Sequence, residues 1–182
     1  MKEFFALIDW AVVGVKLIAL VTLILFAKQP AIRLILKRPE KDIRDQVEQS
    51  LFLLTAFTLI WHFLGSYMSL AFSKSSFSYE EKLQIYYFFF SFYDVLGLAI
   101  LAGLHWLKRC RFSKFCRWIY FLTTAMISLQ LIRYLDRVYL EAGYLDAFYM
   151  PIKTGINLAT LALIGAYPVF RLLKLKPNHR WS

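Results

Sequence analysis

The sequence predicts an all-α, polytopic integral membrane protein: a five-transmembrane-helix bundle with its N-terminus outside and its C-terminus cytoplasmic. Three observations predict it. Hydrophobic residues make up 59% of the chain, and mean hydropathy is +0.52, too apolar for an ordinary soluble domain. The apolar residues gather into five runs near the roughly 20 residues that a helix needs to cross hydrocarbon. The net charge of +10 is confined to alternate connections, the pattern left when basic loops stay in the cytoplasm.

The expected spans cover about 4–27, 51–72, 83–107, 118–140 and 152–170, all within a single transmembrane domain, 1–182. Asp9 and Lys16 interrupt the first run, and Leu25-Phe26-Ala27 lacks the small residue of a cleavage site, so it reads as a retained helix. After it, Pro30 and Pro39 bracket a short basic, apolar segment suited to the inner interface. Ile43, Val47, Leu51 and Leu54 then recur at helical spacing, so the second helix is expected to start in the cytosol. The fourth run is clean only to Ile132, before Arg133, Asp136 and Arg137 arrive, which long basic side chains near a helix end can tolerate.

Orientation follows from charge. The basic segments 28–50, 108–117 and 171–182 carry +2, +5 and +4, while the other ends and connections balance. The outer boundary is expected at Tyr79, Tyr86, Tyr87, Tyr134, Tyr139, Tyr144 and Tyr149, with Trp106 and Trp118 flanking the inner loop, as amphipathic rings do at headgroup depth.

Several constellations are candidates for function. Thr55, Thr58, His62, Ser66 and Ser69 form a polar stripe on the second span. The stripe serves either as hydroxyls bonding back along their own helix between close-packed neighbours or as a water-lined path centred on His62. Intramembrane charges are more informative, since each costs about 2.5 to 3.5 kcal/mol at a helix centre. Asp9 and Lys16 share a face of the first helix, and Asp94 lies mid-way along the third at a depth that allows an ion pair with Lys16. That pair would fix helix register or, together with His62, relay a proton. Gln130, Arg133, Asp136 and Arg137 on the fourth helix are expected to meet Asn157 or Thr160 on the fifth. The small-residue pairs Gly65 with Ser69, Ala99 with Gly103 and Gly155 with Ala159 permit close helix contacts.

Other chemistries are disfavoured. Cys110 and Cys116 lack the spacing of a redox or zinc motif and read as free thiols of a reducing compartment. His62 and His105 stand at different depths, so they do not suit a bis-histidine haem. No phosphate-cradling loop, zinc-protease motif or nucleophile elbow occurs. The reading is therefore non-enzymatic, with no cofactor and no metal. Lys108, Arg109, Arg111, Lys114, Arg117, Arg171, Lys174 and Lys176 are the residues expected to meet anionic lipid headgroups or an acidic cytosolic protein. A nucleic-acid partner is not expected, because positive-inside topology already accounts for these charges.

The expected function is that of a membrane sensor or anchor of stress or defence type, self-associating, in the cytoplasmic membrane. Its alternative is a small channel or proton/ion transport subunit using Lys16, His62 and Asp94.

Overall fold

The computed structural model describes residues 2–27, 30–37, 39 and 42–172. Among these residues every regular element is a helix: α1 (Lys2–Phe26), α2 (Ala31–Leu36), α3 (Ile43–Ser73), α4 (Tyr79–Lys108), α5 (Lys114–Tyr134), a π-helical turn (Leu135–Tyr139) and α6 (Asp146–Leu172). Four helical segments are long and apolar enough to cross a membrane: Asp45–Ser73, Glu81–Lys108, Lys114–Tyr139 and Asp146–Ala166. The described apolar part of α1 is the shorter Trp10–Phe26. The chain thus has the character of a membrane protein.

Helix ends follow from capping. Ser78 opens α4 with a capping box, its hydroxyl accepting from the Glu81 N–H while Glu81 accepts from the Ser78 N–H, which satisfies two otherwise orphaned donors. The helix therefore starts ahead of the apolar run that begins at Leu83. Ser113 caps α5 by accepting from the Cys116 N–H. The second span's helix begins ahead of its apolar run, as expected: α3 opens at Ile43 with polar first turns. Pro30 stands at the N-cap of α2, where its missing N–H is not needed.

Two helices depart from the expected boundaries. α6 begins six residues before the expected span, with Pro151 on its exposed side in the second turn. At the end of α5 the ladder slips by one residue, so that the Leu140 N–H bonds to the Leu135 carbonyl at 3.0 Å. Asp136 lies there at 4% exposure, one turn on from Arg133 on the face that Met126, Leu129 and Gln130 also bury, although the sequence places it where an apolar run fades.

The core is built where five long helices meet. Ala19 of α1, Leu54 of α3, Leu101 of α4, Cys116 and Ile119 of α5, and Ile164 of α6 form one buried cluster. Leu23, Leu51 and Phe115 extend it toward the basic loop, and Met126, Leu129 and Tyr149 form a separate cluster toward the opposite end. Outside the core, Leu17, Ile24, Ile60, Phe88, Trp118 and Phe121 are exposed, as lipid-facing side chains are.

α3 and α4 are locked by Trp61, which stacks on Tyr93 at 4.2 Å between ring centroids and on Phe57 at 5.2 Å. The Tyr93 hydroxyl donates to the Trp61 carbonyl at 2.6 Å. The indole lies flush on Gly97, where a Cβ would fall 2.6 Å from its Nε1. Because the ring is held on both faces, Gly97→Ala should cost about 1 to 3 kcal/mol of overpacking, measured as a lower unfolding midpoint in detergent. Gly103→Ala, where a Cβ meets nothing within 4 Å, should leave the midpoint near wild type.

Both cysteines are free and buried. Cys110 donates weakly to the Gln46 carbonyl at 3.6 Å, and burial pushes its thiol up to about 11 from an ordinary 9.0. Its rate with a thiol reagent should therefore keep rising about tenfold per pH unit beyond pH 9, where an ordinary thiol levels off. A plateau near pH 9 in the folded protein would contradict this environment. Between those two values the unfolded chain releases the proton that the folded chain keeps, so this group makes the protein less stable as pH rises from about 9 to 11.

Candidate functional site

At the basic end, the loop between α4 and α5 is held from beneath by a buried polar network. Arg109 closes α4 in the left-handed conformation, with φ 52°. The Arg109 N–H bonds to the Trp106 carbonyl at 2.9 Å, and the Cys110 N–H to the His105 carbonyl at 3.0 Å, as in a helix-terminating turn. A residue with a Cβ pays roughly 1 to 2 kcal/mol for this geometry, which glycine adopts freely.

Below the turn, His105 Nδ1 lies 2.9 Å from the Leu101 carbonyl and Nε2 lies 3.0 Å from Ser50 Oγ. A carbonyl only accepts, so Nδ1 carries the hydrogen, and in the neutral ring Nε2 accepts from the Ser50 hydroxyl. Ser50 Oγ in turn accepts from the Ser113 N–H at 3.0 Å. Cys116 Sγ lies 3.8 Å from the same Nε2, and the imidazole stacks on Phe112 at 4.3 Å.

The serine and histidine have the separation of a nucleophile and its base. However, Ser50 and Cys116 are both 0% exposed and His105 only 1%, so the pair lies buried beneath the loop. What the network does is fix the loop. Gln49 and Lys108 extend it to α2: Gln49 Nε2 donates to the Leu34 carbonyl at 2.6 Å, and Lys108 Nζ donates to the carbonyls of Ile35 and Lys37, satisfying the C-terminal end of the short helix.

The expected basic residues therefore divide. Lys108 is committed to α2, and Lys114 is half-buried. Arg109, Arg111 and Arg117 are exposed, beside Trp106 at 82% and Trp118 at 61% exposure. Arg171 lies in α6 with its side chain outside the described residues, and Lys174 and Lys176 lie wholly outside them.

The expected polar groups of the spans are placed as follows. Lys16 is buried and donates to the Thr58 carbonyl at 3.2 Å, whereas Asp94 accepts from Gln130 Nε2 at 3.2 Å. The two thus take different partners: α1 packs chiefly on α3 and α6, and α4 chiefly on α5 and α3. The Asp9 side chain lies outside the described residues. On the α3 stripe Thr55 is buried, Thr58, His62 and Ser69 are half-buried, and Ser66 is exposed. Thr58 bonds back to the Thr55 carbonyl at 3.3 Å, and Thr22, Ser91, Thr124, Ser128 and Thr160 make similar bonds along their own helices, as hydroxyls do in apolar helices.

The polar seam expected between the fourth and fifth spans divides: Gln130 turns to α4, whereas Arg133 and Arg137 meet Asp146 at the start of α6. Ser91 Oγ lies 2.8 Å from the Tyr87 carbonyl and 3.2 Å from Gln130 Oε1, while Asn157 is exposed. Beyond Gln130, the Arg133 guanidinium lies 3.1 Å from Asp136, bonds Asp146, and sits 5.5 Å above the Tyr149 ring. Arg137 also bonds Asp146. Asp136 accepts from the backbone N–H groups of Tyr144 at 2.9 Å and Leu145 at 3.1 Å, tying the 140–145 turn to α5.

Sequence reasoning missed Ser50, Gln49 and Ser113. The available signals were a Gln-Ser pair directly before an apolar run and a serine three residues before Cys116. No group of three or more His, Cys, Asp or Glu residues among the described residues could hold a metal. No protein-family model, curated protein or solved structure matches the chain.

Proposed function

We propose that this chain is a non-enzymatic, self-associating subunit of the cytoplasmic membrane, a sensor or anchor of stress or defence type that engages an acidic cytosolic protein through its basic face. The observation that carries this reading is the division among the loop cations. Arg109, Arg111 and Arg117 are exposed, while the backbone bearing them is pinned by Ser50, His105 and Ser113. A pre-ordered cationic surface loses little freedom when a partner binds and steers an acidic one toward it. Five crossings, with an outside N-terminus and a cytoplasmic C-terminus, complete the reading. Its support is that α1 supplies Ala19 and Leu23 to the core and that the charge excess lies on one side.

The experiment is in-cell crosslinking of the wild type and of a variant carrying Arg109→Gln, Arg111→Gln and Arg117→Gln. The reading expects an acidic protein captured by the wild type, lost from the variant, and released as salt rises. Equal capture by both chains would refute it.

A second reading is a small channel or proton/ion transport subunit. The polar groups Gln130, Arg133 and Arg137 along α5 and its π-helical turn, with Asp94 bonded to Gln130, favour it. It requires flux through liposomes containing the protein alone, abolished by Asp94→Asn.

A further inference from the structure

A cavity of about 390 Å³ lies at the end of α4, lined by His105, Trp106, Leu107, Arg109, Cys110 and Arg111. From these residues we infer a binding site for one anionic glycerophospholipid, its phosphate held by Arg109 and Arg111 and its first acyl carbons lying along Trp106 and Leu107. The inference rests on the reading that this end of α4 stands at headgroup depth, and it does not depend on any protein partner.

The lining has two chemical halves. Trp106 and Leu107 are 82% and 58% exposed at the end of an apolar span, where hydrocarbon begins. Arg109 and Arg111 are exposed, have no ion-pair partner among the described residues, and no carboxylate joins the lining. A guanidinium matches a phosphate with paired N–H donors. The last carbonyls of a helix would ordinarily repel an anion, but those of His105 and Trp106 are already bonded by the Cys110 and Arg109 N–H groups. Within the recess itself a phospholipid covers both the arginines and the apolar half formed by Trp106 and Leu107.

Arg109 closes α4 in a left-handed conformation that glycine would adopt without strain. Arg109→Gly should thus preserve or raise thermal stability while weakening lipid binding, which separates loss of the site from loss of the fold.

The test uses the full chain in phosphatidylcholine nanodiscs doped at equal fractions with brominated phosphatidylglycerol or brominated phosphatidylcholine, read by tryptophan quenching. The wild type should be quenched more deeply by the anionic lipid. Arg109→Gly and the pair Arg109→Gln with Arg111→Gln should lose that difference, and so should Trp106→Phe, which leaves the other four of the five tryptophans in place. Millimolar inorganic phosphate should leave the difference intact. Equal quenching of the wild type by both lipids would overturn the site. A difference that survives the arginine changes, or that free phosphate abolishes, would overturn it as well. Because no cytosolic protein is present, these outcomes are independent of partner capture.

Discussion

Asp136→Ala should destabilise the protein by about 3 to 5 kcal/mol, the cost of stranding a buried partner charge. Asp136 is 4% exposed and accepts from the Arg133 guanidinium and from the backbone N–H groups of Tyr144 and Leu145. Alanine leaves all three donors without this acceptor, and Arg133 keeps only Asp146 as an ion-pair partner. Asp146→Ala should cost much less, because its side chain is 46% exposed and solvent replaces it. Thermal unfolding in detergent would separate the two, with Asp136→Ala showing the much lower midpoint. Equal midpoints would mean that the π-helical turn does not hold the 140–145 turn.

The next largest effect is expected at Ser50. Ser50→Ala removes the donor to His105 Nε2 and the acceptor of the Ser113 N–H, at about 1 to 3 kcal/mol for each buried group left unsatisfied. The loss should be local as well as global, because the Ser113 amide sits at the N-cap of α5. Hydrogen exchange should quicken at Ser113 and across residues 109–113 well before the outer half of the bundle opens. His105→Phe keeps an aromatic ring but discards both ring bonds, and should loosen the same loop. Unchanged exchange at Ser113 in Ser50→Ala would remove the network as the element that fixes the basic surface.

How much could be read in advance follows from the range of each interaction. Four membrane-length helices were legible because hydropathy is a local sum; the expected starts of α4 and α5 missed by about a turn where Ser78 and Ser113 cap the helix ahead of its apolar run, and that of α6 by six residues. The α3 stripe was half legible: periodicity placed its residues on one face but not which part of that face neighbours cover, so Thr55 is buried and Ser66 exposed. Depth alone made a Lys16–Asp94 pair plausible, yet helix adjacency gave them Thr58 and Gln130 instead. His105 and Ser50 are 55 residues apart, a separation at which neither hydropathy nor spacing carries a signal. Asp136 looked like a charge at a fading span because the Tyr144 and Leu145 N–H groups that it accepts from belong to a turn that composition does not reveal.

The docking account depends on Arg109, Arg111 and Arg117 facing the cytosol, and sidedness tests it most directly. The native thiols suit this poorly, since burial shields them on either side of the membrane. Arg111→Cys places a thiol on the exposed part of the loop. In intact cells this cysteine should resist an impermeant maleimide and react rapidly after permeabilisation, while Cys110 and Cys116 stay slow in both. Rapid labelling of Arg111→Cys in intact cells would put the basic surface outside and contradict the account.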